Sequence, residues 1–306
     1  MKILKNLILK AVTLLKTNIN MSNTLTKLSE FKNVSTFQVL EYDQLKGGSD
    51  VKTAFMLSYM REANIKLRQL RIVLSGGGVF TEPNALSFMR GPIEVSTNTG
   101  GLFSLSEKFV SSKISGEPVI KPHYKGTGEI LMEPSFGHFA LLELENEEII
   151  IDDSLFFAAE DTIDIGVTSM KTVSSALFGT EGLFQTKLKG TGIVVLEIPV
   201  PETEIFKYSL VEDVLKIDGN FSVLRTGGIA FTVEKTTKTL IGSGFTGEGL
   251  LNVFKGTGEV WLMPTKVVYD KILNNGLTLG VGGMDNMVQS TMDKKDKERD
   301  KDQEPR

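Results

Sequence analysis

Short apolar runs separated by turn-forming residues follow one another along most of the chain from Phe31 onward. The run 37–42, FQVLEY, predicts a strand, and the residues from Gly47 to Asp50 predict a loop after it. Runs of about four to eight residues at regular spacing, with Gly and Pro between them, are typical of a β-sandwich or β-barrel. We therefore predict an all-β fold whose strand pattern begins near Phe37.

Residues 54–70 allow two interpretations. The spacing of their apolar side chains fits a helix. Leu70, Ile72 and Leu74, however, alternate with the residues between them, which is the pattern of a half-buried strand. We predict a strand hairpin here, with its turn at the polar residues 61–64.

The tetrapeptide Lys-Gly-Thr-Gly occurs three times, at 125–128, 189–192 and 255–258, with intervals of 64 and 66 residues. Each copy opens an apolar run that ends on a proline. Self-similarity at a long and nearly fixed period indicates one structural unit used several times. The prediction is a β-sandwich unit repeated three times within one chain.

The glycines of this tetrapeptide have a structural and a functional interpretation. Gly lacks a Cβ atom, so it reaches positive φ and allows another segment to approach closely, as at a bulge or tight bend. A phosphate-binding loop needs its glycines before the lysine and a helix after them, and here the order is reversed and a strand follows. The predicted structural glycines are Gly126, Gly128, Gly190, Gly192, Gly256 and Gly258.

The chain is predicted to consist of a basic amphipathic N-terminal extension (1–30), one β-rich domain (31–272) and a disordered charged tail (273–306). The tail cannot bury enough apolar surface to offset the entropy of ordering it. The insertion at 166–179 is predicted to be a short helix or a flap. Three pseudo-repeats divide the domain, at about 37–134, 135–199 and 200–264.

The N-terminal extension combines lysines with an apolar stripe and contains no acidic residue before Glu30. This pattern is typical of a helix that lies on an anionic membrane surface or directs targeting. Three interpretations are open: peripheral membrane contact through residues 1–20, packing of the helix on the domain, or translation from Met21.

Composition narrows the possible functions. The net charge is −4 and the chain has a single Trp, whereas RNA-binding surfaces combine basic charge with stacking aromatic rings, so nucleic acid is not an expected partner. Cysteine is absent, which excludes disulfides and thiolate metal sites. No apolar run reaches the roughly 18 residues that indicate a membrane span.

The residues that most often carry chemistry form no recognised motif. His123 and His138 match no zinc-binding spacing, and no G-x-S-x-G sequence is present. The carboxylates between Glu145 and Asp164, which include Glu160, are predicted to be turn and surface residues of strands. We therefore expect no catalytic, cofactor or metal site, and no enzyme.

Four blocks carry a family resemblance: 66–91, 124–144, 174–192 and 247–264. Together they resemble the bacterial members of the altered inheritance of mitochondria protein 24 family. The resemblance implies a fold similar to the tryptophan RNA-binding attenuation protein, a double-stranded β-helix sandwich, here present three times. It implies no catalytic residues. The fungal relatives belong to the mitochondrial inner membrane and its cristae organisation.

The expected function is that of a non-enzymatic scaffold or interaction protein, with a protein partner or a second copy of the chain as its ligand. The alternative is a ligand-binding β module for an oligonucleotide, a sugar or a lipid. The expected location is the bacterial cytoplasm, at the periphery of the membrane if residues 1–20 attach there, with the mitochondrion as the alternative.

Overall fold

Strands form most of the regular structure. The computed structural model describes residues 25–96, 121–169, 184–218, 221–235 and 250–277. The strands are β1 (Leu25–Lys32), β2 (Thr36–Tyr42), β3 (Arg68–Thr81), β4 (Leu86–Arg90), β5 (Ile93–Ser96), β6 (His123–Met132), β7 (His138–Asp152), β8 (Phe156–Glu160), β9 (Ile163–Ser169), β10 (Phe184–Ile198), β11 (Phe206–Asp218), β12 (Ser222–Thr226), β13 (Ile229–Lys235) and β14 (Leu250–Leu262). The helices are α1 (Val51–Glu62) and α2 (Lys266–Leu277).

One large antiparallel sheet connects these strands. Its order is β1-β2-β3-β8-β10-β7-β12-β14-β11. Of the remaining strands, β6 pairs with β3, β4 and β5 pair with β6, β9 pairs with β10, and β13 pairs with β14. The prediction of a mainly β fold is confirmed at this level. The strand predicted at 37–42 is also confirmed, because β2 covers it.

The three strands that contain Lys-Gly-Thr-Gly have corresponding neighbours. Each pairs along one edge with a long strand and along the other edge with two short strands in succession. The neighbours are β3 with β4 and β5 for β6, β7 with β8 and β9 for β10, and β11 with β12 and β13 for β14. In all three cases the pairing with the long strand shifts register at the tetrapeptide.

The core lies around the centre of the sheet. Residues 193–196 of β10 are all fully buried, because both faces of this strand are covered by other parts of the chain. One cluster joins side chains of β7, β8, β10 and β12, a second joins β2, β3 and β6 to β10, and a third joins β11, β13 and β14.

The strand hairpin predicted within residues 54–70 is wrong, because the structure forms helix α1 there and β3 begins only at Arg68. Asp50 starts the helix by accepting a hydrogen bond from the backbone N of Thr53 at 2.9 Å. An N-cap of this kind satisfies one of the free N–H groups of the first turn. The alternating pattern that suggested strands therefore belongs to β3 alone.

The strand pattern also begins earlier than predicted. Strand β1 lies before Phe37 and overlaps the predicted extension, and it pairs only with β2 among the described strands. Its mixed polar sequence hides it from a search for apolar alternation. Helix α2 likewise continues past residue 273, where the tail was predicted to start. Residues 1–24, 170–183 and 278–306 lie outside the described residues, and with them most of the predicted extension, insertion and tail.

Candidate interaction surfaces

The tetrapeptide glycines lie where two parts of the chain cross at close range. Gly126, Gly190 and Gly256 have φ of 145°, 142° and 138°. A Cβ atom on Gly190 would lie 2.6 Å from the carbonyl oxygen of Thr162, in the turn between β8 and β9. On Gly126 and Gly256 it would meet the carbonyl oxygens of Pro92 and Gly228. The close partner of each of these three glycines is therefore backbone of the same chain.

Two of the tetrapeptide lysines form long, exposed ion pairs. Nζ of Lys125 lies 4.0 Å from a carboxylate oxygen of Asp161, and Nζ of Lys189 lies 3.6 Å from one of Glu148. The side chains of both lysines are more than half exposed. Exposed ion pairs of this kind contribute at most about 1 kcal/mol. These lysines add surface charge and little stability.

His123 joins β6 to the turn after β8. Its Nε2 lies 3.3 Å from Oδ2 of Asp161, and its ring centroid lies 4.8 Å from that of Phe80. The other ring nitrogen lies 3.5 Å from Oγ of Ser96, which is exposed at the end of β5. A serine relay needs a shorter Ser–His hydrogen bond and donors for the oxyanion. The arrangement fits a surface tie between strands better than a catalytic relay.

His138 lies in a partly buried position at the start of β7. Burial, helped by the positive charge of Arg68, lowers the pKa of His138 to about 4, and Glu204 opposes this shift. The imidazole is therefore neutral in the folded protein at neutral pH.

This shift predicts a loss of stability in mild acid. The folded pKa lies below the ordinary value of 6.5, so the unfolded chain binds more protons between pH 6.5 and about 4. The free energy of unfolding should fall by about 2 kcal/mol as the pH drops through this window, which is less than the full shift would give because solvent screens the partly exposed ring. Above pH 6.5 the whole contribution of His138 to stability is present. Denaturant melts of His138→Gln should lose this dependence, while His123→Gln should keep it. An NMR titration of His138 with a midpoint near 6.5 would contradict the prediction.

Glu160 is buried, contrary to the prediction that it is a turn or surface residue. It is 1% exposed, and its carboxylate accepts hydrogen bonds from Asn33 Nδ2 at 2.9 Å and from the backbone N of Ser35 at 2.8 Å. A third comes from the backbone N of Ile193 at 3.1 Å. This carboxylate therefore ties the β1–β2 turn to β8 and β10.

Arg225 is a second buried charge that the sequence did not reveal. It is 7% exposed, and its guanidinium donates to Gln185 Oε1 at 2.7 Å and to the carbonyl oxygen of Ile229 at 3.2 Å. Burial lowers the pKa of Arg225 to about 10, so the group stays charged at neutral pH. Its two partners lie on β10 and β13, so Arg225 ties these strands to its own strand β12, and its role is structural.

A shallow open hollow is lined by Glu147, Glu148 and residues 226–228. Its carboxylates would repel an anionic ligand. Among the described residues no group of three His, Cys, Asp or Glu side chains is placed to hold a metal ion.

Helix α1 is one of the least buried elements in the described part of the chain. None of its residues is buried, and Val51, Phe55, Met56 and Tyr59 are between 57% and 73% exposed. Helix α2 also exposes apolar side chains, including Leu273 at 79%. Neither of these described helices is long and apolar enough to cross a membrane.

Two strand edges carry further exposed apolar side chains. Strand β11 lies at one end of the sheet and exposes Phe206, Tyr208, Val211 and Val214, with exposed fractions from 41% to 77%. Strand β4 pairs only with β6 among the described strands and exposes Phe88 and Met89. Unpaired edges with apolar side chains are sites where another chain can add a strand.

These features define a class of protein: mainly β, built on one large antiparallel sheet, with its apolar surface on helices and strand edges. The family model described as Mitochondrial biogenesis AIM24 matches residues 60–265, and the chain belongs to this family. The family resemblance predicted from the four sequence blocks is thereby confirmed.

Two similar proteins come from the same bacterial species. An uncharacterized protein of Streptococcus pyogenes serotype M6 is 22% identical over 200 residues, which cover 61% of this chain and 77% of the relative. A crystal structure of a S. pyogenes protein has a TM-score of 0.50 and 20% identity, covering 69% of this chain and 94% of the other. At this identity the second likeness concerns the fold alone.

Proposed function

We propose that this protein is a non-enzymatic scaffold that binds a protein partner through the exposed face of helix α1. The observation that carries the proposal is that this helix of 12 residues has no buried side chain. Isolated helices of about this length are only marginally stable in water. A helix that is capped but unpacked, beside a sheet whose central strands are well buried, gains its missing apolar contacts when a partner covers it.

The side-chain arrangement of α1 suits a protein groove. Val51, Phe55 and Tyr59 follow one another at intervals of four residues, so they lie along one side of the helix. Helices that dock into grooves use anchors with this spacing. Helices that lie on anionic membranes are rich in Lys and Arg, whereas α1 carries two basic residues and one acidic residue. Among the described residues, the feature that supports the alternative of a ligand-binding module is the shallow acidic hollow.

The proposal includes the finer predictions on architecture and location. The three corresponding strand neighbourhoods support one β unit used three times, with the double-stranded β-helix fold of the tryptophan RNA-binding attenuation protein as its form. The bacterial relative supports the bacterial cytoplasm over the mitochondrion. The proposal also includes peripheral membrane contact, in which residues 1–20 anchor the protein to the membrane surface.

A photo-cross-linking residue at position 55 of the full chain tests the partner site in cells. We expect one discrete cross-linked protein, and a weaker or absent product from the same residue at Arg61, on another side of the helix. With that partner purified, Phe55→Ser/Tyr59→Ser should weaken binding at least about tenfold, because two apolar anchors are lost. Arg61→Ser serves as the matched control and should bind normally.

Stability measurements separate a binding role from a packing role. The melting temperature of Phe55→Ser/Tyr59→Ser should stay within about 2 °C of the parent, because exposed side chains contribute little to folding. A large drop would place α1 in the core and contradict the proposal. Loss of binding to anionic vesicles in this variant, without any protein cross-link, would assign the helix to a membrane surface instead.

A further inference from the structure

The sheet joins its parts through two junctions of the same kind. In the first junction, β3 pairs with β8, and in the second, β7 pairs with β12. Each junction has three residue pairs: Val79–Glu160, Phe80–Ala159 and Thr81–Ala158 in the first, and Ile149–Thr226, Ile150–Arg225 and Ile151–Leu224 in the second. One more hydrogen bond extends each, from Asp161 N to Gly78 O at 2.9 Å and from Gly227 N to Glu148 O at 2.7 Å.

The register against the Lys-Gly-Thr-Gly strands shows which residues correspond. Gly78, Glu148 and Val214 are the partners of the three tetrapeptide lysines, so 215–217 of β11 correspond to 79–81 of β3 and 149–151 of β7. Met89, Ala159 and Arg225 all face the second residue after a tetrapeptide. Residues 88–90 of β4 therefore correspond to 158–160 of β8 and 224–226 of β12.

The chain thus contains both halves of a third junction that its described strands do not form. Among the described strands, β11 pairs only with β14, and β4 only with β6. The side chains show the difference: Met89 is 40% exposed, whereas the corresponding Ala159 is 0% and Arg225 7% exposed. Phe88 is 55% exposed, whereas its counterparts Ala158 and Leu224 are buried.

We propose that β11 of one copy pairs with β4 of a second copy and completes this third junction between chains. The register that follows from the two formed junctions is antiparallel, with Leu215 opposite Arg90, Lys216 opposite Met89 and Ile217 opposite Phe88. The backbone N of Gly91 then donates to the carbonyl oxygen of Val214, as Asp161 and Gly227 do within the chain.

A second copy fits these edges because every chain carries both halves of the junction, one on β4 and the other on β11. Strand β11 of one copy can therefore pair with β4 of the next. The contact is therefore head-to-tail, which leads to a closed ring if the rotation closes and to a filament if it does not. The proposal is independent of helix α1, because neither strand includes it.

Disulfide trapping tests the register directly, since the chain has no cysteine of its own. One chain carries Met89→Cys and another carries Lys216→Cys. Facing residues of neighbouring antiparallel strands lie within disulfide reach, so oxidation of the mixture should yield a cross-linked heterodimer. Met89→Cys mixed with Tyr208→Cys, which lies on β11 outside the register, should yield at least about fivefold less.

Further measurements distinguish pairing between two copies from pairing within one copy and from no association. Sedimentation of the parent chain should show a mass that rises with concentration above 33.6 kDa, and Phe88→Asp should reduce it without lowering the melting temperature. A chain that carries both cysteines and forms its disulfide internally would show that β4 and β11 meet within one copy, which overturns the proposal. A monomer at all concentrations with no heterodimer would overturn it as well.

Discussion

Gly190→Val should remove about 4 kcal/mol from the free energy of unfolding. The φ of 142° is unfavourable for any residue with a Cβ, and the added side chain would collide with the carbonyl oxygen of Thr162. Backbone strain and overpacking each cost about 1–3 kcal/mol, and a domain has only about 5–15 kcal/mol in total. The measurement is the denaturant midpoint of the full chain.

Two further variants make this test specific. Gly190→Ala keeps the strain and adds a smaller group, so it should cost less than Val and more than the control. Gly47→Ala is the control, because no atom lies within 4 Å of a Cβ there, and its midpoint should hardly change. Gly126→Val and Gly256→Val should resemble Gly190→Val. Parent-like melts for all three Val variants would assign the glycines to a ligand or a partner.

Glu160→Ala should be the second strongly destabilising change, at about 3–5 kcal/mol. It leaves three donors without their acceptor in a place that water does not reach, namely Asn33 Nδ2 and the backbone N–H groups of Ser35 and Ile193. An unsatisfied buried donor costs about 1–3 kcal/mol. Glu143→Ala, an exposed glutamate on β7, should change the free energy of unfolding by no more than about 0.5 kcal/mol.

The amide variant tests whether the hydrogen bonds or the shape of Glu160 matter. In Glu160→Gln, one carboxylate oxygen becomes an NH2 group, and both oxygens face N–H donors. One donor must therefore meet another, and the expected cost is about 1–3 kcal/mol. Parent-like stability in both Glu160→Ala and Glu160→Gln would show that the network holds little free energy and that β1 is only loosely attached.

Local patterns predicted the elements whose signal lies in neighbouring residues. Strand β2 was found from its apolar run, and the glycines of the tetrapeptide were assigned to close backbone contact from their position alone. Helix α1 was missed because its apolar side chains stay exposed, so they carry no burial pattern that separates a helix from a strand. Strand β1 was missed because it lies at a sheet edge with mixed polar residues.

The candidate surfaces were largely beyond sequence reasoning. Exposure of Phe88 and Met89 depends on which strands remain unpaired at the end of folding, and no feature of residues 86–90 marks them as an edge. The proximity of His123 to Asp161 across 38 positions is of the same kind. The family blocks identified the family, yet they contain no information on which strand edges stay open.

By itself the sequence determined the β class, the three occurrences of Lys-Gly-Thr-Gly, the absence of cysteine chemistry and the family, because each depends on residue type and local spacing. Only the tertiary structure decided that Glu160 is buried, that no residue of α1 is buried, and that β4 and β11 each pair with a single described strand. Asn33 and Glu160 are 127 positions apart, and the burial that makes their hydrogen bond matter exists only once β1, β8 and β10 have come together. Desolvation and strand pairing are properties of assembled layers, so no window of the sequence contains them.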